Sequence, residues 1–123
     1  MKPKNDPLKE KTMRFAIRIV RLSKYLTEVQ KEFVISRQIL RSGTNPGAMV
    51  REAANAESGR DFIHKLSVAQ KETSETLYWL ELLYHAAYLS KPQYESIIND
   101  GMEIMKILRS SILTKKQRMN DEL

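Results

Sequence analysis

Apolar residues recur along this chain at steps of three and four, the period of an amphipathic helix. Asp6-Pro7 supplies a cap and a first-turn proline for a helix over 7–27. Leu8, Phe15, Ile19, Leu22 and Leu26 share one face of it, and Ala16, Ile17 and Val20 lie off that face. A helix in a lone bundle needs one apolar stripe, so the surplus points to a second contact, most simply another subunit. A polar link over 28–31 turns the chain back. A second helix is expected from Lys31 or Glu32, with Phe33, Val34, Ile35, Ile39 and Leu40 on its apolar side. Pro46 predicts either a kinked helix over 32–57 or two helices parted at 42–46, and the immediate return of Gly47, Val50 and Ala54 favours the kinked or briefly interrupted form.

Gly59 reads as the stop of that helix, with Ser58 and Asp61 at capping spacing for the next. The third helix is the clearest. Phe62, Leu66, Ala69, Thr73, Thr76, Leu80, Leu83 and Ala87 form a seam of alternating bulky and small residues. Ser90-Lys91-Pro92 opens a fourth helix over 92–116, with Tyr94, Ile97, Gly101, Ile104 and Leu108 facing inward. No stretch alternates like a strand. The fold expected is all-α, an up-down-up-down antiparallel four-helix bundle with helix 2 kinked or interrupted near Pro46. It spans 7–116, between flexible ends at 1–6 and 117–123.

The partner expected for the third helix's seam is the small-residue patch Gly43, Gly47 and Ala48, with Pro46 setting the bend. A large residue at Gly47 should then disrupt folding or assembly. Arg41 and Glu52 are expected to anchor polar pairs at the same crossing, and Glu72, Glu75 and Glu81 to pair rather than catalyse. Trp79 stands four residues from Glu75, and Tyr78 and Trp79 read as core or interface anchors.

Charge adds one feature. The net charge is +6 over 123 residues, and residues 1–60 hold 13 Lys/Arg against 6 Asp/Glu. Lys11, Arg14, Arg18 and Arg21 line one side of the first helix at steps of 3, 4 and 3. Such a line repels itself by a few tenths of a kcal/mol per pair, and an opposing anionic surface relieves it. It is therefore a candidate nucleic-acid-binding surface, and a solvated stripe or pairing with neighbouring Glu residues is the plainer alternative.

Other chemistry finds little support. Cysteine is absent, which removes disulfides and thiolate sites and fits a reducing compartment. Asp61 with His64, and Glu81 with His85, have loose metal-ligand spacing. The two His lie roughly 30 Å apart on one helix and cannot share a site. Ser42-Gly43-Thr44-Asn45-Pro46-Gly47 lacks the ending of a phosphate-binding loop. No secretory leader and no membrane span are read from the chain. No cofactor, no metal and no catalytic residue is expected.

Three motifs carry a family resemblance. They are Arg41-Ser42-Gly43-Thr44 with Gly47-Ala48 and Glu52-Ala53; Ser58 with Asp61-Phe62-Ile63 and Lys65; and Lys71-Glu72, Glu75-Thr76 and Tyr78-Trp79-Leu80. Over about residues 8–113 the chain resembles the bacterial four helix bundle protein family, encoded in intervening sequences of large-subunit ribosomal RNA genes. More distantly it resembles the accessory variability determinant proteins of diversity-generating retroelements. Met49 stands where many members carry Asn. The resemblance implies a cytoplasmic, non-enzymatic homo-oligomer, commonly a pentamer, with a basic surface. Through the retroelement relatives it also implies binding to RNA or DNA and to a partner protein. Two functions are carried forward: a nucleic-acid-binding accessory or chaperone-like module, and a scaffold that docks a partner protein without nucleic acid.

Overall fold

A computed structural model describes residues 6–122 and shows four helices: α1 (Pro7–Glu28), α2 (Ile35–Ala54), α3 (Gly59–His85) and α4 (Lys91–Asp121). Each helix packs on its neighbours in a cycle, α1 on α2, α2 on α3, α3 on α4 and α4 on α1, and no close backbone approach joins either diagonal pair. This is the all-α antiparallel four-helix bundle. Three helices start on side-chain caps. The Asp6 carboxylate accepts from Lys9 N–H (3.1 Å) and the Ser58 hydroxyl from Asp61 N–H (3.1 Å). Ser90 and Gln93 form a reciprocal capping box. Of the segment expected to be a flexible N-terminus, residues 1–5 lie outside the described residues.

The second helix begins later than the hydrophobic pattern suggests. Lys31 adopts a left-handed φ of 57° and ends any helical path there. The buried Glu32 side chain then accepts from the backbone N–H of Val34 (3.2 Å), Ile35 (3.0 Å) and Ser36 (2.7 Å). Glu32 thus stands three residues before the helix, which starts at Ile35. Phe33 and Val34, expected on the inner face, are therefore exposed.

At Pro46 the helix does not break. Residues Ile35–Ala54 form one helix with Pro46 buried inside it. Contacts on both sides hold it: the Ser42 and Thr76 hydroxyls bond at 2.8 Å, and Val50 and Ala53 are buried in the core. Gly59 is not the stop of α2. It is the first residue of α3, and the stop falls at Asn55.

The core holds Phe15, Ile19, Leu26, Ile39, Leu80 and Leu108, with Leu66 to Leu83 of the α3 seam. Of that seam, Phe62 is half-buried, and Ala87 lies beyond the helix at φ 68°, exposed. Thr73 and Thr76 are fully buried, and their hydroxyls bond Ala69 O and Glu72 O at 2.8 Å. No buried side-chain polar atom among the described residues lacks a partner. The fourth helix continues past 116 to Asp121, through residues expected as tail.

The small-residue patch packs against a different helix from the one expected. A Cβ on Gly43 would stand 2.7 Å from Ile19 Cγ1 and 2.8 Å from Cγ2, so Gly43 sets the approach of α1 and α2. Gly47 also faces α1, but a Cβ there would sit 3.6 Å from Thr12, which is ordinary contact. Ala48 is exposed. The tight residue is Gly43, and the α2 partner of the α3 seam is Ser42.

Candidate nucleic-acid interface on α1

Helix α1 fixes the four cations by its own period, and α4 decides what becomes of them. The Lys11 ammonium pairs with Glu103. The Arg18 guanidinium bonds Asp100 at 2.6 Å, Ser96 O at 3.2 Å and Ser96 Oγ at 3.0 Å. Arg14 and Arg21 are exposed and have no ion-pair partner among the described residues. The line therefore alternates between cations paired with α4 and cations without a close pair, and Arg14 borders a small cleft with Asp100 and Glu103. The ties are partly solvated, and pairs of that kind contribute about 0–1 kcal/mol each. Beside the cations, Met13, Ile17 and Val20 make a second, apolar line, 41–44% exposed.

A cleft of about 280 Å³ opens where α1 and α4 part near the α3–α4 connection. Leu22, Leu89 and Ile97 form its floor, and Arg21, Tyr25 and Gln93 border it. The Tyr25 hydroxyl accepts from Gln30 Nε2 at 2.8 Å. Sequence reasoning missed this cleft, because it depends on the register between two helices distant in the chain.

Four residues of the resemblance motifs, Arg41, Glu72, Glu75 and Trp79, meet at the α2–α3 crossing. Arg41 donates to Glu72 (2.9 Å) and Glu75 (2.7 Å), and Trp79 Nε1 donates to Glu75 (3.0 Å). The indole bond, followed by the Arg41 guanidinium, holds the Glu75 carboxyl below its ordinary range against the opposing effect of burial. Glu75 in turn raises the Arg41 pKa. A carboxylate kept anionic and already paired is poorly placed as a general base near neutral pH. Glu52 pairs with Lys65 at 3.0 Å, a partner not expected from the sequence. Tyr78 is 57% exposed and meets Trp79 edge-on at 5.0 Å, so Tyr78 is not in the core. The metal-like spacings converge on nothing: no group of three or more His, Cys, Asp or Glu is close enough to hold an ion among the described residues.

The family model described as "23S rRNA-intervening sequence protein" matches residues 5–110. The chain belongs to that family. A crystal structure of a protein from the S23 ribosomal protein family of Bacteroides thetaiotaomicron, described as of unknown function, is 57% identical. It covers 85% of this chain and 94% of its own, with a TM-score of 0.84. No curated protein matches. All four α1 cations and the whole Arg41–Trp79 cluster fall inside the segment matched by the 23S rRNA-intervening sequence protein family, which ends within α4.

Proposed function

We propose that this protein is a non-enzymatic, self-assembling cytoplasmic bundle that binds nucleic-acid backbone through α1, as an accessory or chaperone-like module. One observation carries the reading: the outward side of α1 is divided lengthwise. Met13, Ile17 and Val20 form an apolar line suited to burial against another copy. Arg14 and Arg21 form a parallel cationic line with no ion pair of their own among the described residues, although Arg14 borders a small cleft with Asp100 and Glu103. Copies arranged around an axis, as in the pentamer that the resemblance implies, would repeat this pair of arginines. Repetition raises avidity for a long polyanion without any new kind of contact. The family's description, which ties its members to ribosomal RNA genes, supports RNA as the first nucleic acid to test.

The test is binding of a labelled ribosomal RNA fragment at low salt. The Arg14→Glu/Arg21→Glu double variant is expected to lose binding, while Arg60→Glu/Lys71→Glu, which places the same charge change on α3, keeps most of it. Equal losses in both variants would reduce the effect to net charge and remove α1 as the site.

A second reading, a scaffold that docks a protein partner, is favoured by the exposed Phe33 and Val34 at the α1–α2 connection. It predicts protein binding that survives the arginine variants.

A further inference from the structure

The α1/α4 cleft has an apolar floor of Leu22, Leu89 and Ile97, the last two of them buried. At about 280 Å³ it falls at the small end of ligand pockets, a size suited to one flat group. Tyr25, half-buried on its border, follows Arg21 by four residues and so takes the next place in the line of Lys11, Arg14, Arg18 and Arg21. Glu28, three residues further along, ends that line and does not border the cleft. A row of cations leading to an aromatic ring and an apolar floor is the arrangement that holds single strands, phosphates on the cations and bases on the apolar faces.

The polar groups on the border are donors. Gln93 Oε1 accepts from Ser90 N–H at 2.8 Å in the capping box, which leaves the Gln93 Nε2 group to donate. Gln30 Nε2 donates to the Tyr25 hydroxyl at 2.8 Å, which fixes the phenol and leaves its O–H to donate. Arg21 carries donors alone and has no ion pair among the described residues. Arg18, also on the border, is bonded to Asp100 and Ser96. No Asp or Glu lines the cleft among the described residues. A group that enters must therefore bring acceptors, because a donor buried against donors is left unsatisfied.

We propose that the cleft takes one unpaired uracil of a single-stranded RNA, with an adjoining phosphate on Arg21. Uracil turns carbonyl oxygens toward this border, whereas cytosine sets an amino donor where uracil has a carbonyl. A base inside a duplex has its pairing edge and both faces occupied, so an unpaired base is the one that can enter. This rests on RNA binding by α1 and adds the state of the strand and the base it prefers.

The experiment compares labelled oligouridylate, oligocytidylate of equal length, and oligouridylate paired with oligoadenylate, by fluorescence anisotropy at low salt. Wild type is expected to bind oligouridylate about tenfold more tightly than oligocytidylate, and more tightly than the duplex. Gln93→Glu keeps the capping box, since Glu serves that position as Gln does, but sets an acceptor where the amide donor stood. The uridine-to-cytidine ratio should then fall to about one, with the melting temperature unchanged. Tyr25→Phe, which removes a second donor and keeps the ring, should lower the ratio in the same direction. Arg14→Glu, outside this cleft, is the charge control: it weakens both strands and keeps the wild-type ratio. Oligocytidylate or the duplex bound as tightly as oligouridylate, or a preference that survives Gln93→Glu, would overturn the uracil site while leaving phosphate binding by α1 in place. A wild type that binds none of the three would overturn both.

Discussion

Helix α2 and the α1–α4 seam meet the same requirement, burial of apolar faces, in opposite ways. Around the middle of α2, at Arg41 to Gly43, the packing is close. Gly43 lets Ile19 approach to the limit of contact, and Ser42 bonds buried Thr76. Arg41 bridges Glu72 and Glu75. Between α1 and α4 the helices touch least of the four neighbouring pairs. Surface ion pairs span part of that seam, and a cleft opens at one end of it. The difference separates two tasks. The α2 crossings specify the fold, and the outward side of α1 with its loose seam is left available for contacts beyond the chain.

The largest effect should come from breaking the closed side. Gly43→Ala places a methyl against the branched carbons of Ile19, which cannot swing away as a flexible chain end would. Overpacking of this kind costs about 1–3 kcal/mol, several degrees in melting temperature. Gly47→Ala, one turn on, has room and gains helix propensity of up to about 1 kcal/mol, so it should melt at or above wild type. The two variants side by side in thermal denaturation decide whether close approach is confined to Gly43.

Acid should come next. Glu32 and Glu75 both have folded pKa values below the ordinary 4.5 of a free glutamate. A carboxylate with a lowered folded pKa adds stability that is complete above its unfolded pKa. That stability disappears as pH falls through the folded value. Melting temperature is thus expected to fall below about pH 4.5, and Glu75→Gln should start lower at neutral pH and lose less on acidification. Equal slopes for the two proteins would rule out Glu75 as a source of the acid sensitivity.

The smallest effect is expected on the open side. Arg18→Ala breaks the partly solvated bonds to Asp100 and Ser96 and should cost no more than about 1 kcal/mol. A larger loss would mean that the α1–α4 seam is a structural clamp after all.

These contrasts also mark what was legible in the sequence. The α3 seam from Leu66 to Leu83 was plain, because a long run of regular spacing leaves one helical face to bury. The start of α2 was not, since Phe33 and Val34 have the hydrophobicity of core residues. Their exposure follows from capping by Glu32, which hydrophobic pattern does not register. Pro46 left open a kinked helix or two parted ones, the kinked or briefly interrupted form being favoured, and tertiary packing on both sides keeps Ile35–Ala54 one helix. The cationic line of α1 was visible as spacing, but spacing within one helix says nothing about which cations the opposite helix claims. That Lys11 and Arg18 pair with α4 carboxylates, while Arg14 only borders the same small cleft and Arg21 pairs with none among the described residues, follows from the register between α1 and α4. The cleft between α1 and α4 was illegible for the same reason.

The most direct measurement is the salt dependence of RNA affinity for wild type and for Arg14→Glu/Arg21→Glu, with the melting temperature of each recorded. For wild type, log affinity is expected to fall linearly with log salt. The variant is expected to show a slope shallower by about one for each phosphate it no longer neutralises, with little change in melting temperature. An unchanged slope, or affinity that disappears only together with folding, would contradict the assignment of nucleic-acid binding to α1.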